Sequence, residues 1–216
     1  MVRTVIRNGY VWPAADVDCW RAVFNSVEDM DPAIVQCRQR KVAVQAGGNC
    51  GVWANWLALR FDQVITFEPD IDNYACLFAN KADNVTAYNF ALGDFESDSV
   101  LFRKDPDNVG AHTISEEGGS TVAMRKLDRF VGECDFLCLD VEGFEMMALL
   151  GGSEMIRRSH PVIQIKDKGL SEPHGIKKGD VVSWLKKEFG YREIAKIKGT
   201  LFCHDSLPCR RKRGLR

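Results

Sequence analysis

From residue 41 onward the chain alternates short apolar runs with segments whose apolar residues recur every three or four positions. "KVAVQA" (41–46) reads as a buried strand and "CGVWANWLALRF" (50–61) as a helix. "QVITFEP" (63–69) and "DIDNYACLFANKA" (70–82) repeat the pair, the helix entered at an Asp. "NVTAYNFALGD" (84–94) gives a third strand ending in a Gly-Asp turn, and "CDFLCLDVEG" (134–143) and "HPVIQIKDK" (160–168) give a fourth and fifth. The helix "FEMMALLGGSEMIRR" (144–158) separates the last two. Strands alternating with helices build parallel βαβ units covered on both faces, so the expected fold is a doubly wound α/β sheet. The amphipathic helix "KKGDVVSWLKKEFG" (177–190) and a hairpin at 191–204 close the series, the hairpin bringing one antiparallel strand into the sheet. Between the third and fourth strands the pattern breaks. "DSVLFR" (98–103) and "STVAMRKL" (120–127) read as strands flanking a polar, Gly-rich loop that is a candidate lid.

Ahead of this pattern, "DVDCWRAVFNSV" (16–27) has apolar positions at helical spacing and "DPAIVQCRQR" (31–40) opens on an Asp-Pro helix-entry signal. Residues 1–40 are therefore expected to form a helical extension, 41–205 one domain, and 206–216 a basic, disordered tail. The 216 residues are 45% hydrophobic and 27% charged, as suits a globular domain with a substantial core. A net charge of −1 gives no overall pull toward nucleic acid or membrane, although five of the last seven residues are basic. No apolar run approaches the ~20 residues of a membrane span. The stretch "MVRTVIRNGYVW" lacks the apolar core of a secretory leader. Eight cysteines without a CxxC, several inside apolar segments, read as reduced thiols of a cytoplasmic protein. Four scattered histidines give no metal-ligand spacing, and no metal is expected.

In open α/β sheets, ligands bind beyond the carboxyl ends of the strands. The first strand runs out into "QAGGNCG", where Gly47, Gly48 and Gly51 let backbone approach a ligand. Glu68 ends the neighbouring strand, and a carboxylate there can accept both hydroxyl protons of a ribose; it can also serve as a charge at the following helix N-terminus. The pair points to an adenosine-containing ligand, a nicotinamide cofactor or S-adenosylmethionine. The dinucleotide fingerprint has glycines at relative positions one, three and six. Here Asn49 stands at the middle position, which disfavours a pyrophosphate and suits the zwitterionic end of S-adenosylmethionine.

The runs "VQAGGNCGVWANWLA", "ITFEPDIDNYACLFAN", "NVTAYNFALGD", "VAMRKLDRF", "CDFLCLDVEGFEMMALLGG" and "HPVIQI" resemble, in order and spacing, the FkbM-type S-adenosylmethionine-dependent methyltransferases. The resemblance covers roughly residues 41–166 and is most specific in "LDVEGFE…LLGG". It implies a Rossmann-like class I methyltransferase fold, a mostly parallel seven-stranded sheet with a C-terminal antiparallel hairpin, and methyl transfer to a hydroxyl oxygen. It also implies that Gly47, Asn49 and Gly51 form the cofactor turn and that Glu68 holds the ribose. Asn89, Ala91 and Leu92 would lie near the adenine, and Asp140 and Glu142 would form the acidic tip of the fourth strand. The chain departs from the family pattern at three positions. Gln45 replaces the acidic residue before the turn, Cys138 a lysine on the fourth strand, and Lys166 a glutamate ending the fifth. An amide at 45 can still help orient the cofactor while losing the charge attraction, so weaker binding is expected, tightened by Gln45→Asp.

An alcohol acceptor needs a base to take its proton. Asp140, also near the cofactor, is the first candidate. Glu142, two residues on and expected on the same side, is the second, and it can alternatively cap the next helix. His112 in the polar loop and Lys166 at its strand tip complete the set. The acceptor is expected to be a small molecule or glycan. RNA ribose 2′-O-methylation is the alternative within catalysis, with Asp140, Lys166 and the basic tail as its set. A cofactor-binding protein that has lost turnover is the alternative outside it. Oligomeric state is not legible in the sequence.

Overall fold

The computed structural model describes residues 2–103, 110, 112–115, 120–166, 170–177, 179–196 and 199–207, with the side chains of 99–103, 112–115 and 173 outside that description. The chain opens on β1 (Thr4–Arg7) and β2 (Tyr10–Pro13), an antiparallel hairpin, followed by α1 (Cys19–Phe24), a 3₁₀ turn and α2 (Asp31–Ile34). The expected helical extension is thus corrected at its start. The reason is local: a type I′ hairpin turn needs positive φ at both central positions, and Asn8 and Gly9 supply φ of 48° and 82°. Trp12 is fully buried, and its indole N–H donates to Asp16 at 2.8 Å. The same carboxylate accepts the backbone N–H groups of Cys19 and Trp20, which starts α1.

The alternating unit then runs β3 (Val42–Ala46), α3 (Val52–Ala58), β4 (Gln63–Phe67), α4 (Ile71–Asn80) and β5 (Val85–Tyr88). Asp70 caps α4, accepting from the Asp72 and Asn73 N–H groups at 2.9 and 3.0 Å. The third strand expected over 84–94 is split. β5 ends at Tyr88 because the Asn89 amide donates to the carbonyls of Glu68 and Pro69, at 2.8 and 3.1 Å, and turns the chain aside. The next residues form β6 (Ala91–Leu92) in a second sheet with β7 (Ser97–Arg103), β8 (His112–Ser115) and β9 (Ser120–Arg125), ordered β6-β9-β7-β8.

The chain returns to the main sheet as β10 (Phe136–Leu139). The single helix expected at 144–158 is two, α5 (Glu145–Gly151) and α6 (Ser153–Ser159). The break falls where the chain grazes the turn after β6: a Cβ on Gly151 would lie 1.9 Å from the Gly93 carbonyl oxygen. β11 (Val162–Ile165), α7 (Asp180–Phe189), β12 (Tyr191–Lys196) and β13 (Thr200–His204) complete the fold. The main sheet has seven strands in the order β12-β13-β11-β10-β3-β4-β5, with only β13 antiparallel to its neighbours. This is the mostly parallel sheet with a terminal antiparallel hairpin expected from the sequence.

Alternation along each strand feeds two cores. Val44, Ile65, Leu137 and Ile163 pack with Leu149, Ile156 and Leu185 of α5–α7 on one face. Ala43, Val64, Phe136 and Val162 pack with Met30, Ile34, Trp53 and Leu57 on the other. Full burial of each such aliphatic side chain stabilises by about 1.5–3 kcal/mol, so strand position and face are fixed by the apolar pattern. The N-terminal hairpin adds a layer over α4, where the Asn80 side chain bonds both the N–H and the carbonyl of Val11 at 2.8 Å. Among the described residues no helix is long and apolar enough to cross a membrane.

Candidate functional site

The last paired row across the parallel strands is Ile165, Leu139, Ala46, Phe67 and Tyr88. One residue further along each strand lies the row Lys166, Asp140, Gly47, Glu68 and Asn89. The ladder continues into it: Lys166 N–H donates to Leu139 at 2.9 Å, Asp140 to Ala46 at 3.1 Å, Gly47 to Phe67 at 3.1 Å and Glu68 to Tyr88 at 3.0 Å. Five residues singled out from the sequence therefore stand side by side at the carboxyl edge of the sheet.

The turn out of β3 is built from left-handed residues, with φ of 85° at Gly47, 47° at Asn49 and 88° at Gly51. Gly47 is required twice over, since a Cβ there would sit 2.0 Å from the Asp140 carbonyl oxygen. Every N–H of the turn is engaged within the protein. Those of Gly47 and Gly48 donate to the Phe67 carbonyl at 3.1 and 2.8 Å, and that of Gly51 to Gly48 at 2.9 Å. The Asn49 N–H donates to Glu68 Oε2 and the Cys50 N–H to Asn49 Oδ1, both at 2.7 Å. A phosphate cradle works by aiming such N–H groups at the ligand. This turn aims them inward.

Gln45 and Glu68 hold that arrangement. Gln45 is completely buried; its Nε2 donates to the Gly47 carbonyl at 2.7 Å and its Oε1 accepts the Thr66 hydroxyl at 2.6 Å. Glu68 is 5% exposed and accepts the Asp70 N–H on its other oxygen at 2.9 Å. Burial raises its carboxyl to about 7, against the opposing effect of those backbone donors.

Across the row, Lys166 Nζ lies 3.7 Å from Asp140 Oδ2 and 3.8 Å from the centre of the Trp53 ring. β10 ends just before Asp140, and the chain turns through Glu142 (φ 49°) and Gly143 (φ 103°). The strand alternation that would carry Glu142 to the side of Asp140 stops there. The carboxylate that bonds this turn is Glu145, 1% exposed, which accepts the Gly143 N–H at 3.3 Å. Ala91 and Leu92 are not in the row. Both are buried, Ala91 against Met124 and Phe144 and Leu92 in the core with Phe67 and Leu127. His112 opens β8 on the edge of the second sheet, and its side chain lies outside the described residues. The tail beyond Leu207 and most of the 104–119 loop lie outside them as well. Among the described residues no cluster of three or more His, Cys, Asp or Glu side chains could hold a metal ion.

Residues 45–193 match the Methyltransferase FkbM domain, well over half of the chain. The chain belongs to the FkbM methyltransferase family. Among solved structures, an FkbM methyltransferase from Methylobacillus flagellatus KT aligns with a TM-score of 0.54 at 19% identity, covering 77% of this chain and 44% of that one. This chain thus spans less than half the length of that protein, and the likeness is one of fold. Precorrin 8W decarboxylase from Methanobacterium thermoautotrophicum aligns at a TM-score of 0.48 and 13% identity, covering 82% and 89%. An rRNA methylase from Streptococcus thermophilus aligns at 0.43 and 12%, covering 80% and 89%. No curated protein matches the chain.

Within this FkbM domain the three departures have physical consequences. Cys138 sits between Gln45 and Gln164, and burial pushes its thiol up to about 12, so the fourth strand carries no charge at that position. Lys166 instead brings the positive charge from the fifth strand to Asp140. Sequence reasoning missed Trp53, Thr66 and Glu145. Thr66 is legible once β3 and β4 are set in register, because it then faces Gln45. Glu145 stands inside the "DVEGFE" run itself. Trp53 reads as an ordinary apolar helix position and carries no separate signal.

Proposed function

We propose that this FkbM domain is an S-adenosylmethionine-dependent methyltransferase acting on a hydroxyl oxygen of a small molecule or glycan. The observation that carries the reading is the turn at 47–51, whose N–H groups all point inward between two carboxylates, Glu68 and Asp140. Such a turn offers carbonyls and negative charge, which suits the ammonium of a zwitterionic amino-acid end and not a pyrophosphate. The residues fit the cofactor. Glu68 accepts a backbone N–H on each oxygen and a further bond from the Asn73 side chain, which leaves one lone pair available to a ribose hydroxyl. The main chain at 47–49 and the Asp140 carboxylate would receive the amino-acid end, with Asn89 beside Glu68 toward the adenine. Ala91 and Leu92 would contribute through the core beneath that end.

When bound, the cofactor supplies a methyl group on a sulfonium, an electrophile open to in-line displacement. Catalysis is then mostly positioning the acceptor and removing its proton. Asp140 is the base in this reading, accepting the hydroxyl proton at its carboxylate. Lys166 holds that carboxylate in place, its ammonium 3.7 Å from Asp140 Oδ2. Glu142 and His112 remain secondary candidates.

Calorimetry with S-adenosylmethionine tests the cofactor, and radiolabelled methyl transfer to panels of glycans, small alcohols and RNA tests the acceptor. Tight binding abolished by Glu68→Ala, with transfer to a glycan or small alcohol abolished by Asp140→Asn, supports the proposal. Transfer to RNA alone would replace it with ribose 2′-O-methylation, which the Asp140–Lys166 pair also suits. Binding without transfer to any panel would leave a cofactor-binding protein, and no binding would overturn every catalytic reading.

A further inference from the structure

Lys166 has four rotatable bonds, so a single contact to Asp140 would not hold it. The structure gives its ammonium a second, rigid partner. Trp53, on the first turns of α3, is 6% exposed and lies with its ring centre 3.8 Å from Lys166 Nζ. Its indole N–H donates to the Val23 carbonyl of α1 at 3.3 Å. Nearby, Gln164 on β11 donates to the Asp29 carbonyl at 3.0 Å, a second tie from the sheet to the N-terminal extension. A line of contacts therefore runs from α1 through the indole and the ammonium to the Asp140 carboxylate.

We propose that Trp53 is a positioning residue of the acidic tip: its ring face holds the Lys166 ammonium against Asp140, and its N–H anchors that arrangement to the N-terminal extension. The quadrupole of an aromatic face attracts a cation most strongly when both are shielded from water. That condition holds here, where the Lys166 and Asp140 side chains are 16% and 19% exposed. Asp140 is itself mostly buried, so a shift of its neighbour changes what small part of the carboxylate an acceptor can reach. With its neighbour clamped, one direction of approach is set. The extension thereby becomes part of the site, although none of its residues stands in the strand-tip row.

The inference rests on Asp140 as the base, and its test separates the two. In protein labelled with ¹³C-lysine, the ring current of Trp53 should shift the Lys166 ε-methylene protons upfield. Trp53→Phe should keep a reduced shift and Trp53→Leu should remove it; an ordinary methylene shift in the unaltered protein overturns the proposal without any activity measurement. Trp53→Leu should lower kcat by about 10- to 100-fold, the scale of a misplaced catalytic group. Trp53→Phe, which keeps a ring face but loses the N–H to Val23, should recover part of the loss. In a Lys166→Met background Trp53→Leu should cost nothing further, since a residue acting through Lys166 has nothing left to position. Equal losses in both backgrounds would make Trp53 merely structural and overturn the proposal. A ring-current shift that behaves as described, in a protein whose transfer survives Asp140→Asn, refutes the base and leaves the clamp standing.

Discussion

Glu68 yields the sharpest quantitative expectation, because it is the one carboxyl of the row whose burial has a large, readable effect. Its ordinary value of 4.5 rises to about 7, chiefly through burial at 5% exposure. At 1.36 kcal/mol per unit this amounts to about 3 kcal/mol of differential stability between its two forms. The folded chain keeps the proton across the window from 4.5 to about 7, while the unfolded chain has already released it. The folded state thus binds more protons there, and stability falls as pH rises through the window. The contribution is fully present below 4.5 and lost above about 7.

Glu68→Gln removes the titration and keeps the shape. The amide can accept only one of the two N–H groups of Asn49 and Asp70, which adds a pH-independent loss of about 1–3 kcal/mol. Urea denaturation of both proteins, followed by far-ultraviolet circular dichroism from about pH 4.5 to about pH 7.5, isolates the carboxyl as the change in their difference. The wild type should lose about 3 kcal/mol relative to the variant from the acid end to the neutral end. A difference that is flat to within about 1 kcal/mol, or that moves the other way, would refute the reasoning. It would mean that the hydrogen bonds from Asp70, Asn49 and Asn73 offset the burial completely.

Three further outcomes follow from the same geometry. Gln45→Asp, which the sequence alone would favour as tightening the cofactor, should instead lower stability by about 1–3 kcal/mol with no gain in calorimetric affinity, because the Gly47 carbonyl loses its donor. Gly47→Ala should cost at least about 2 kcal/mol in urea denaturation, from the left-handed φ and the Asp140 carbonyl 2.0 Å from the added Cβ. His204 is held below its ordinary 6.5 by burial and by the His160 ring stacked 3.7 Å away. The unfolded chain therefore takes that proton first. The Tm should decline as pH falls through about 6.5, less steeply in His204→Gln.

How much of this was legible in the sequence depends on how far each feature reaches along the chain. β3, β4, β10 and β11 are nearly continuous apolar runs buried on both faces, so their ends can be counted from residues alone. Parallel strands in register bring those ends level. That is why Gly47, Glu68, Asp140 and Lys166 could be named before any coordinates. The N-terminal hairpin carried its own signal in Asn8-Gly9, masked by the helical spacing of the residues that follow. The division of 84–94 between two sheets has no local signal, because apolar alternation continues unbroken across Asn89. Only the bonds from its amide to the β4 exit explain it. Trp53 and Lys166 are more than a hundred residues apart, and nothing in either neighbourhood announces the other.

Gln45 shows why a residue of the right type near a site need not face the ligand. It shares a face of the sheet with Gly47 but stands one pleat further in, beneath the turn. From there it bonds the Gly47 carbonyl while Thr66 bonds it in turn, and Glu68 takes the Asn49 N–H from the neighbouring strand. These three side chains, with the Phe67 carbonyl, draw the polar groups of the turn inward and fix its left-handed residues. The same bonds decide what the turn can bind. With its N–H groups facing the protein, it lacks the donors with which glycine-rich turns elsewhere attract phosphates. An amide at 45 therefore puts no charge in the foundation of the turn, and in the proposed reading the polarity of its open side is left to Glu68 and Asp140.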